Sequence, residues 1–502
     1  MIVNTLKKNI DSLIAAILGF VVVQLFTRYG GIGISPDSIA YTSAARSFIV
    51  GNGFMDYTTN PLVAFPLFYP FFLAIVMLLT HSDIVAVAPV MNGIMFSSVI
   101  FMSGFIMEHF KFKTHWYKRI ILTILICSPS LIEIYTMLWS ETLFILLILL
   151  FIHYFKHYFR THSYKALTIA AAITAFAFDT RLAGITLAGT GCLLLFFDKN
   201  LSWNNKLKHI LLFGSVSCSL VAINLIRNIF TMGLATGMRQ KGITPFNKNV
   251  EYSGNVMSDW FSLHLQGQLF FELLALAIMV LFFAFFIRNF KHWKAFYSYE
   301  NVTVSFFIVY VLFIIISSTF SRYETINNRL LAPAFIPLLW ISTCQIPKWR
   351  QQMPHIYINW IFFIFSLGIS TVLIGSYVMI NRENIAFMNE TGIPGYNEDS
   401  WQKSRIINYL QHHNKYFDKD STIYSNHSQA VYFLTGHSVS ALPERVYKED
   451  VKEFMAESPI VLIWFNNDPN SDLLTFKEID KCKRMLRVHT FSDGAIYILK
   501  NK

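Results

Sequence analysis

The sequence predicts a mainly α, polytopic membrane helix bundle with a small C-terminal α/β domain. Three observations carry this. Of the 502 residues, 54% are hydrophobic and only 14% charged, a balance far from that of a water-soluble domain. The apolar residues come in runs long enough to cross a bilayer, which takes about 20 residues each. From Asn381 onward the composition turns polar and such runs cease.

The first span runs from Ser12 to Thr27, behind Lys7 and Lys8. Its length, and the lack of a small-x-small cleavage site after it, make it a retained span rather than a signal peptide. The stretch that follows, Ser35 to Pro70, is then external. Ser35 suits a helix cap, Pro36 its first turn, and Asp37 sits just inside that turn. Tyr41, Ala44, Ala45 and Phe48 share a helical face, and Gly51-Asn52-Gly53 ends the run. An amphipathic helix on the membrane surface is expected here, then a short apolar helix broken by Pro66 and Pro70. Phe65 to Thr80 is placed along the outer surface. If it spanned, the basic cluster Lys111, Lys113, Lys118 and Arg119 would fall outside.

The remaining spans then alternate. They are Ile84 to Phe110, Ile120 to Leu138, Glu141 to about Phe159, Ala166 to Phe178, Leu182 to Phe197 and His209 to Phe230. A long outer loop, Thr231 to Gln266, separates these from Gln268 to Ile287, Val302 to Phe320, Leu330 to Ile346 and Ile356 to Ile380. That gives about 11 spans plus surface helices, with the N-terminus cytoplasmic and the C-terminal domain external or periplasmic, in a cell (inner) membrane. Lys and Arg gather in the inner loops. The formal charge of +11 therefore follows the positive-inside rule and does not call for nucleic acid.

Two regions result: a membrane domain, 1–380, which includes the first external loop, 35–80, and an external domain, 381–502. In the latter, Trp401 to His412 and Tyr447 to Glu457 look helical, and Ser421 to Asn426 and Ile460 to Phe465 look like buried strands. Phe491 to Tyr497 reads as a hairpin turning at Asp493-Gly494. Cys127, Cys192, Cys218 and Cys344 lie in apolar runs and Cys482 stands alone, without metal-ligand spacing or a disulfide framework.

On this topology Asp37, Asp56, Glu133, Glu141, Asp179, Arg181, Arg322, Glu324 and Arg329 all fall at the outer rim. Charge beside a membrane is costly and usually has a partner or a role. Acids at helix starts also have a bland explanation, since each stabilises the helix dipole by about 0.3–1 kcal/mol. That explanation covers Asp37, and Glu141 with Ser140 as its cap. Arg181 has one too, in pairing with Asp179 or snorkelling to headgroups.

The first loop carries a resemblance. An acidic residue opening a surface helix after the first span, then Gly51-Asn52-Gly53 and the Pro66-Leu67-Phe68-Tyr69-Pro70 run, resembles the first external loop of GT-C glycosyltransferases. That superfamily includes protein O-mannosyltransferases and lipid A aminoarabinose transferases, which use sugars carried on a polyprenyl phosphate. The resemblance covers about Ser12 to Trp340. It departs from the aminoarabinose transferases at Ala64-Phe65-Pro66, where those carry Glu-Lys-Pro, and the first loop has no Lys.

The resemblance implies a bundle of GT-C type and roles for particular residues. Asp37 stands where the family keeps its catalytic acid, and Glu141, in Trp139-Ser140-Glu141, where it keeps a second one. Thr180-Arg181 matches the family's Thr-Lys or Thr-Arg, whose cation contacts the carrier phosphate. Arg329, in Arg-Leu-Leu-Ala-Pro333, matches a late Arg-then-Pro segment, with Arg322 as the weaker candidate. A guanidinium fork suits phosphate. His264 and Tyr69 are candidate cavity-lining residues, although a lone His is more often structural. No cofactor is certain. A divalent cation between Asp37 and Glu141 is one option, and metal-free chemistry the other.

The expected function is an inverting transfer of a sugar from a polyprenyl-phosphate donor to a lipid, glycan or protein acceptor at the outer face of the membrane. Membrane lipids are partners; nucleic acid is not. The alternatives are a flippase or transporter of lipid-linked glycans, and an oligosaccharide ligase or polymerase. A transporter calls for ionisable pairs or broken helices near the midplane, whereas these charges gather at the rim. A ligase calls for a large Arg- and His-bearing outer loop, for which Thr231 to Gln266 is only a modest candidate.

Overall fold

A computed structural model describes residues 8–502 apart from 238, 264–265, 323, 353–355, 414–421 and 467–469. Contacts divide the chain into two compact units. The first comprises the described residues up to Arg28, with Val63–Phe72 and Val85–Ala386. The second comprises Tyr29–Leu62, Leu73–Ile84 and Phe387–Lys502.

In chain order the α-helices of eight residues or more up to Thr391 are α1 Ile10–Thr27, α2 Pro36–Ile49, α3 Phe68–Thr80, α4 Ile84–Met107, α5 His115–Cys127, α6 Pro129–Thr136, α7 Glu141–Thr161 and α8 Tyr164–Thr180. Then come α9 Ile185–Phe196, α10 Trp203–Met232, α11 Phe246–Trp260, α12 Gln268–Lys291, α13 Tyr299–Phe320, α14 Asn328–Thr343 and α15 Ile356–Thr391. Among the described residues, eight helical segments are long and apolar enough to cross a membrane. They correspond to eight of the eleven spans read from the sequence.

The other three differ for local reasons. Ile120 to Leu138 is two helices, α5 and α6, bent by 50°. Ser128 caps α6 and Pro129, which lacks an N–H, stands at its first position. Counted as one span, the pair makes nine. The fifth expected span is α8, 17 residues long, and the sixth is a 3₁₀ turn at Leu182–Gly184 running into α9. At 1.5 Å per residue, 17 residues cover about 26 Å, short of a hydrocarbon core of about 30 Å.

Within the first unit α8 packs on α7 and α10. Its buried face includes Ala166, Ala170, Ala171, Thr174 and Ala175, small residues that let helices approach closely. At the opposite end of the bundle from the Glu141 end of α7, Lys118 is buried. Its ammonium pairs with Glu108 and lies 2.5 Å from Asp11, so one of the expected loop lysines is a structural ion-pair centre.

In the second unit α2 begins at Ser35, which forms a capping box with Ser38, and Pro36 is its first residue. Every residue from Ser38 to Ala45 is buried. The expected one-sided surface helix is thus enclosed on all sides over this segment, which Ser43, Ala40, Ala44 and Ala45 are small enough to allow. Gly51 and Gly53, both with positive φ, end it as expected.

The C-terminal sheet has strands β1 Thr422–Ser425, β2 Ser440–Ala441, β3 Ile460–Phe465, β4 Lys483–Phe491 and β5 Gly494–Asn501 in the order β2-β1-β3-β5-β4. β1 pairs in parallel with β2 and β3, and β5 pairs antiparallel with β3 and β4. β3 serves two cores: Val461, Ile463 and Phe465 face one, Ile460 and Leu462 the other. This is why that strand reads as an unbroken apolar run. The β4–β5 hairpin turns at Ser492-Asp493, with Gly494 already in register with Phe491. The expected helix from Trp401 is broken by Lys403 and Ser404 into Asp399–Gln402 and Arg405–His412.

Candidate active site

The charged centre of the first unit is Glu141, the first residue of α7, whose side chain is fully buried. One oxygen, Oε1, accepts from two arginines: Arg181 Nη1 at 2.6 Å and Arg329 Nε at 2.6 Å. Arg181 follows α8 directly, and Arg329 is the second residue of α14. Three helix ends distant in sequence therefore deliver one carboxylate and two guanidinium groups to one point. The sum of formal charges there is +1.

The surroundings brace both cations. Arg181 Nη1 also donates to Ser140 Oγ at 3.0 Å. Ser140 was expected to cap α7, but its side chain makes no capping bond; its hydroxyl serves the arginine instead. The Arg329 guanidinium lies 4.3 Å from the centroid of the Trp139 ring, within cation–π range. Its Nη1 reaches Glu324 at 3.7 Å. The start of α14 is pinned by Asn327 capping Leu330 N, by Tyr310 donating to Leu330 O, and by Asn328 between Trp260 and Glu133.

Arg322 is placed differently. Its Nη1 donates to Gln240 Oε1 at 2.6 Å and its backbone N–H to Gln240 O, beside the bridge of Lys241 to Ser321. Asp179 accepts from Asn224 Nδ2 at 3.4 Å, so the ion partner of Arg181 is Glu141 rather than its neighbour in sequence. Tyr69 is fully buried near the start of α3. His264 lies outside the described residues.

Asp37 belongs to the second unit, in the first turn of α2. Asp56, on the same loop, is engaged locally: its Oδ1 accepts from Thr58 N, Thr58 Oγ1 and Asn60 N. Sequence reasoning paired neither Glu141 with the arginines nor Trp139 and Ser140 with them, although all sit in motifs it singled out. Helix-start acids and span-end cations mark each residue; only the packing of α7, α8 and α14 shows that they converge. Among the described residues no group of three or more His, Cys, Asp and Glu side chains could hold a metal ion.

The crystal structure of ArnT from Cupriavidus metallidurans in the apo state superimposes with a TM-score of 0.55 at 11% identity, covering 98% of this chain and 97% of that one. The same protein bound to undecaprenyl phosphate gives 0.55 at 10% identity, with 98% and 97% covered. Both are GT-C membrane enzymes, matched here over nearly their whole length. The chain has the GT-C fold. A second GT-C structure, the archaeal oligosaccharyltransferase AglB from Archaeoglobus fulgidus in complex with an inhibitory peptide and a dolichol-phosphate, gives 0.53 at 10% identity, covering 91% of this chain and 70% of that one. No family model and no curated protein matches the sequence. On the GT-C fold of this chain, the expected mainly α membrane bundle with its small C-terminal sheet is present.

Proposed function

We propose that this chain is an inverting glycosyltransferase. It moves a sugar from a polyprenyl-phosphate carrier to a lipid, glycan or protein acceptor at the outer face of the membrane. The observation that carries the reading is the pair of arginines held on one buried carboxylate oxygen. A leaving phosphate needs fixed positive charge already aimed, because preorganised charge costs no reorganisation during the reaction. Arg181 and Arg329 meet that need, and Glu141 holds them in place. Two GT-C neighbours are described with a polyprenyl or dolichol phosphate bound, which supports the same ligand class here.

In this reading the acceptor hydroxyl oxygen attacks the anomeric carbon and its proton passes to the Asp37 carboxylate. The bond from the anomeric carbon to the phosphate oxygen breaks, and its electron pair leaves with the polyprenyl phosphate. Arg181 and Arg329 neutralise that phosphate. Glu141 is a positioning residue, a narrower role than the second catalytic acid implied by resemblance. Two guanidinium groups already engage its Oε1 at 2.6 Å, and their charge opposes a divalent cation at this carboxylate.

The test is sugar transfer from a polyprenyl-phosphate donor by purified protein. Asp37→Asn keeps a residue suited to a helix start but cannot take a proton at neutral pH. A general base contributes about 10²–10⁴-fold, so transfer should fall by that factor while folding is unchanged. Full activity in Asp37→Asn would remove Asp37 from the reaction.

A further inference from the structure

The chain entering α2 is tied down from far away in sequence. Ile34 O, one residue before the Ser35 cap, accepts from Tyr396 N at 2.9 Å, and Ile34 forms a parallel bridge with Gly395. Ile32 O accepts from Asn397 Nδ2 at 2.7 Å. Ile32, Ile34 and Ile393 are all fully buried. The opposing turn is itself braced, with Glu398 Oε1 accepting from Gly395 N at 3.1 Å. Gly395 has φ +97°, and a Cβ there would overlap the Ile34 carbonyl oxygen, so only glycine fits.

A further contact ties the other end of the loop to the C-terminal domain. Tyr57 Oη and Ser428 Oγ are 3.1 Å apart, and the Tyr57 ring lies 5.8 Å from that of Tyr432. Ser428 and Tyr432 belong to the helix Ser428–Thr435, which follows β1 directly. The loop is therefore attached to this domain on both sides of α2.

We infer that the 395–397 turn is a positioning device for the reaction: Gly395 and Asn397 fix the approach of the chain to Ser35, and so the direction in which Asp37 presents its carboxylate. The domain read as an external appendage thereby becomes part of the transferase apparatus. The inference rests on the proposed role of Asp37. Its physical core does not, because a helix start held by two distant hydrogen bonds is directed whatever its acid does. Both bonds act within the three residues preceding the cap, on Ile32 and Ile34, where a small change in backbone direction rotates the whole first turn. Proximity catalysis is sensitive on that scale, since a misplacement of about 1 Å can cost about 10²-fold.

The experiment compares Gly395→Ala and Asn397→Ala with the parent and with Asp37→Asn in the full-length protein. Two measurements are made: hydrogen exchange of the amides from Ile32 to Ala40, and steady-state transfer resolved into kcat and donor KM. Asn397→Ala removes the side-chain donor to Ile32 O and the acceptor for Gln402 Nε2 while leaving the backbone bonds of the turn, and serves if Gly395→Ala does not fold. The expected result is faster exchange confined to that stretch, with kcat reduced at least tenfold and donor KM within twofold of the parent. Unchanged exchange in a folded variant overturns the strap itself. Faster exchange with full kcat, beside an inactive Asp37→Asn, overturns its role in the reaction. Faster exchange with full kcat in all three variants overturns the reading of Asp37, and the inference with it.

Discussion

Replacing Glu141 by Gln removes the charge that two arginines share and leaves the shape of the side chain nearly intact. The carboxylate is fully buried, and the Arg181 and Arg329 side chains are only 17% and 13% exposed. Taking one partner from a buried ion pair costs about 3–5 kcal/mol, because the remaining charge is left uncompensated. Gln still offers an oxygen to both donors, so the lower end, about 3 kcal/mol, is expected for Glu141→Gln. Arg329→Met alone removes one charged hydrogen bond, worth about 1.5–3 kcal/mol, and leaves Glu141 paired with Arg181. In the double variant the second loss should add little, since the bond it would have broken has already been weakened. The coupling between the two sites should then reach about 1–3 kcal/mol, against about 0.5 kcal/mol for independent sites.

Reversible denaturant unfolding of the four proteins in detergent measures the cycle. Additivity within about 0.5 kcal/mol would refute the shared-carboxylate arrangement. The same variant separates positioning from catalysis. Glu141→Gln takes away the carboxylate charge that the two arginines share, so donor KM should hold or fall while kcat drops. A rise in donor KM at constant kcat would mean that Glu141 contributes to binding rather than to alignment.

Arg181→Ala and Arg329→Ala should each cost about 1.5–3 kcal/mol in kcat/KM for the donor, with Lys restoring part, and Arg322→Ala should cost much less because its guanidinium serves Gln240; transfer kinetics across the series checks all three. Cys482 is exposed in the C-terminal domain and should react with a membrane-impermeant maleimide in intact spheroplasts, a signal absent from Cys482→Ser; protection in intact cells but not in lysed ones would invert the proposed topology. Lys118→Met should destabilise the membrane unit by about 3 kcal/mol, the lower end for a broken buried pair, read by thermal unfolding, because Asp11 and Glu108 lose the cation between them but keep Arg119 and Lys113 at 3.6 and 3.7 Å.

The sequence exposed the elements better than their company. Apolar runs located the spans, since length and composition alone decide what can cross a bilayer. The same rule is less decisive at α8 and α9, which are shorter than the eight spanning segments, and at Ser128-Pro129 a proline turned one run into two helices. The cap at Ser35 and the double-sided strand at Ile460–Phe465 were legible because their chemistry is local. The Glu141 centre was legible only as three separate motifs. Its residues lie 40 and 188 positions apart from Glu141, and nothing periodic in a single sequence links such distances. Ser140 misled for the same reason: its capping role is a local expectation, overridden by an arginine that the sequence places far away.

The first loop shows how packing separates two acids that composition treats alike. Asp56 closes a tight turn. It accepts from Thr58 and Asn60, its backbone N–H donates to Asn60 O, and Thr59 sits at φ 67°, an uncommon value for a β-branched residue that the surrounding bonds must sustain. A carboxylate already accepting three local donors is a structural group, and moving a proton onto it would weaken the turn that holds it. Asp37 stands instead in the first turn of a helix whose N-cap is completed by Ser35 and Ser38, so the cap does not require its carboxylate. The turn 395–397 holds the chain before that cap rather than the acid itself. Asp37 thus sits in a helix start whose cap is made by other residues and whose preceding backbone is held from a distant turn. That fixed backbone direction suits the proposed general base, whereas the three local donors on Asp56 tie that carboxylate to its turn.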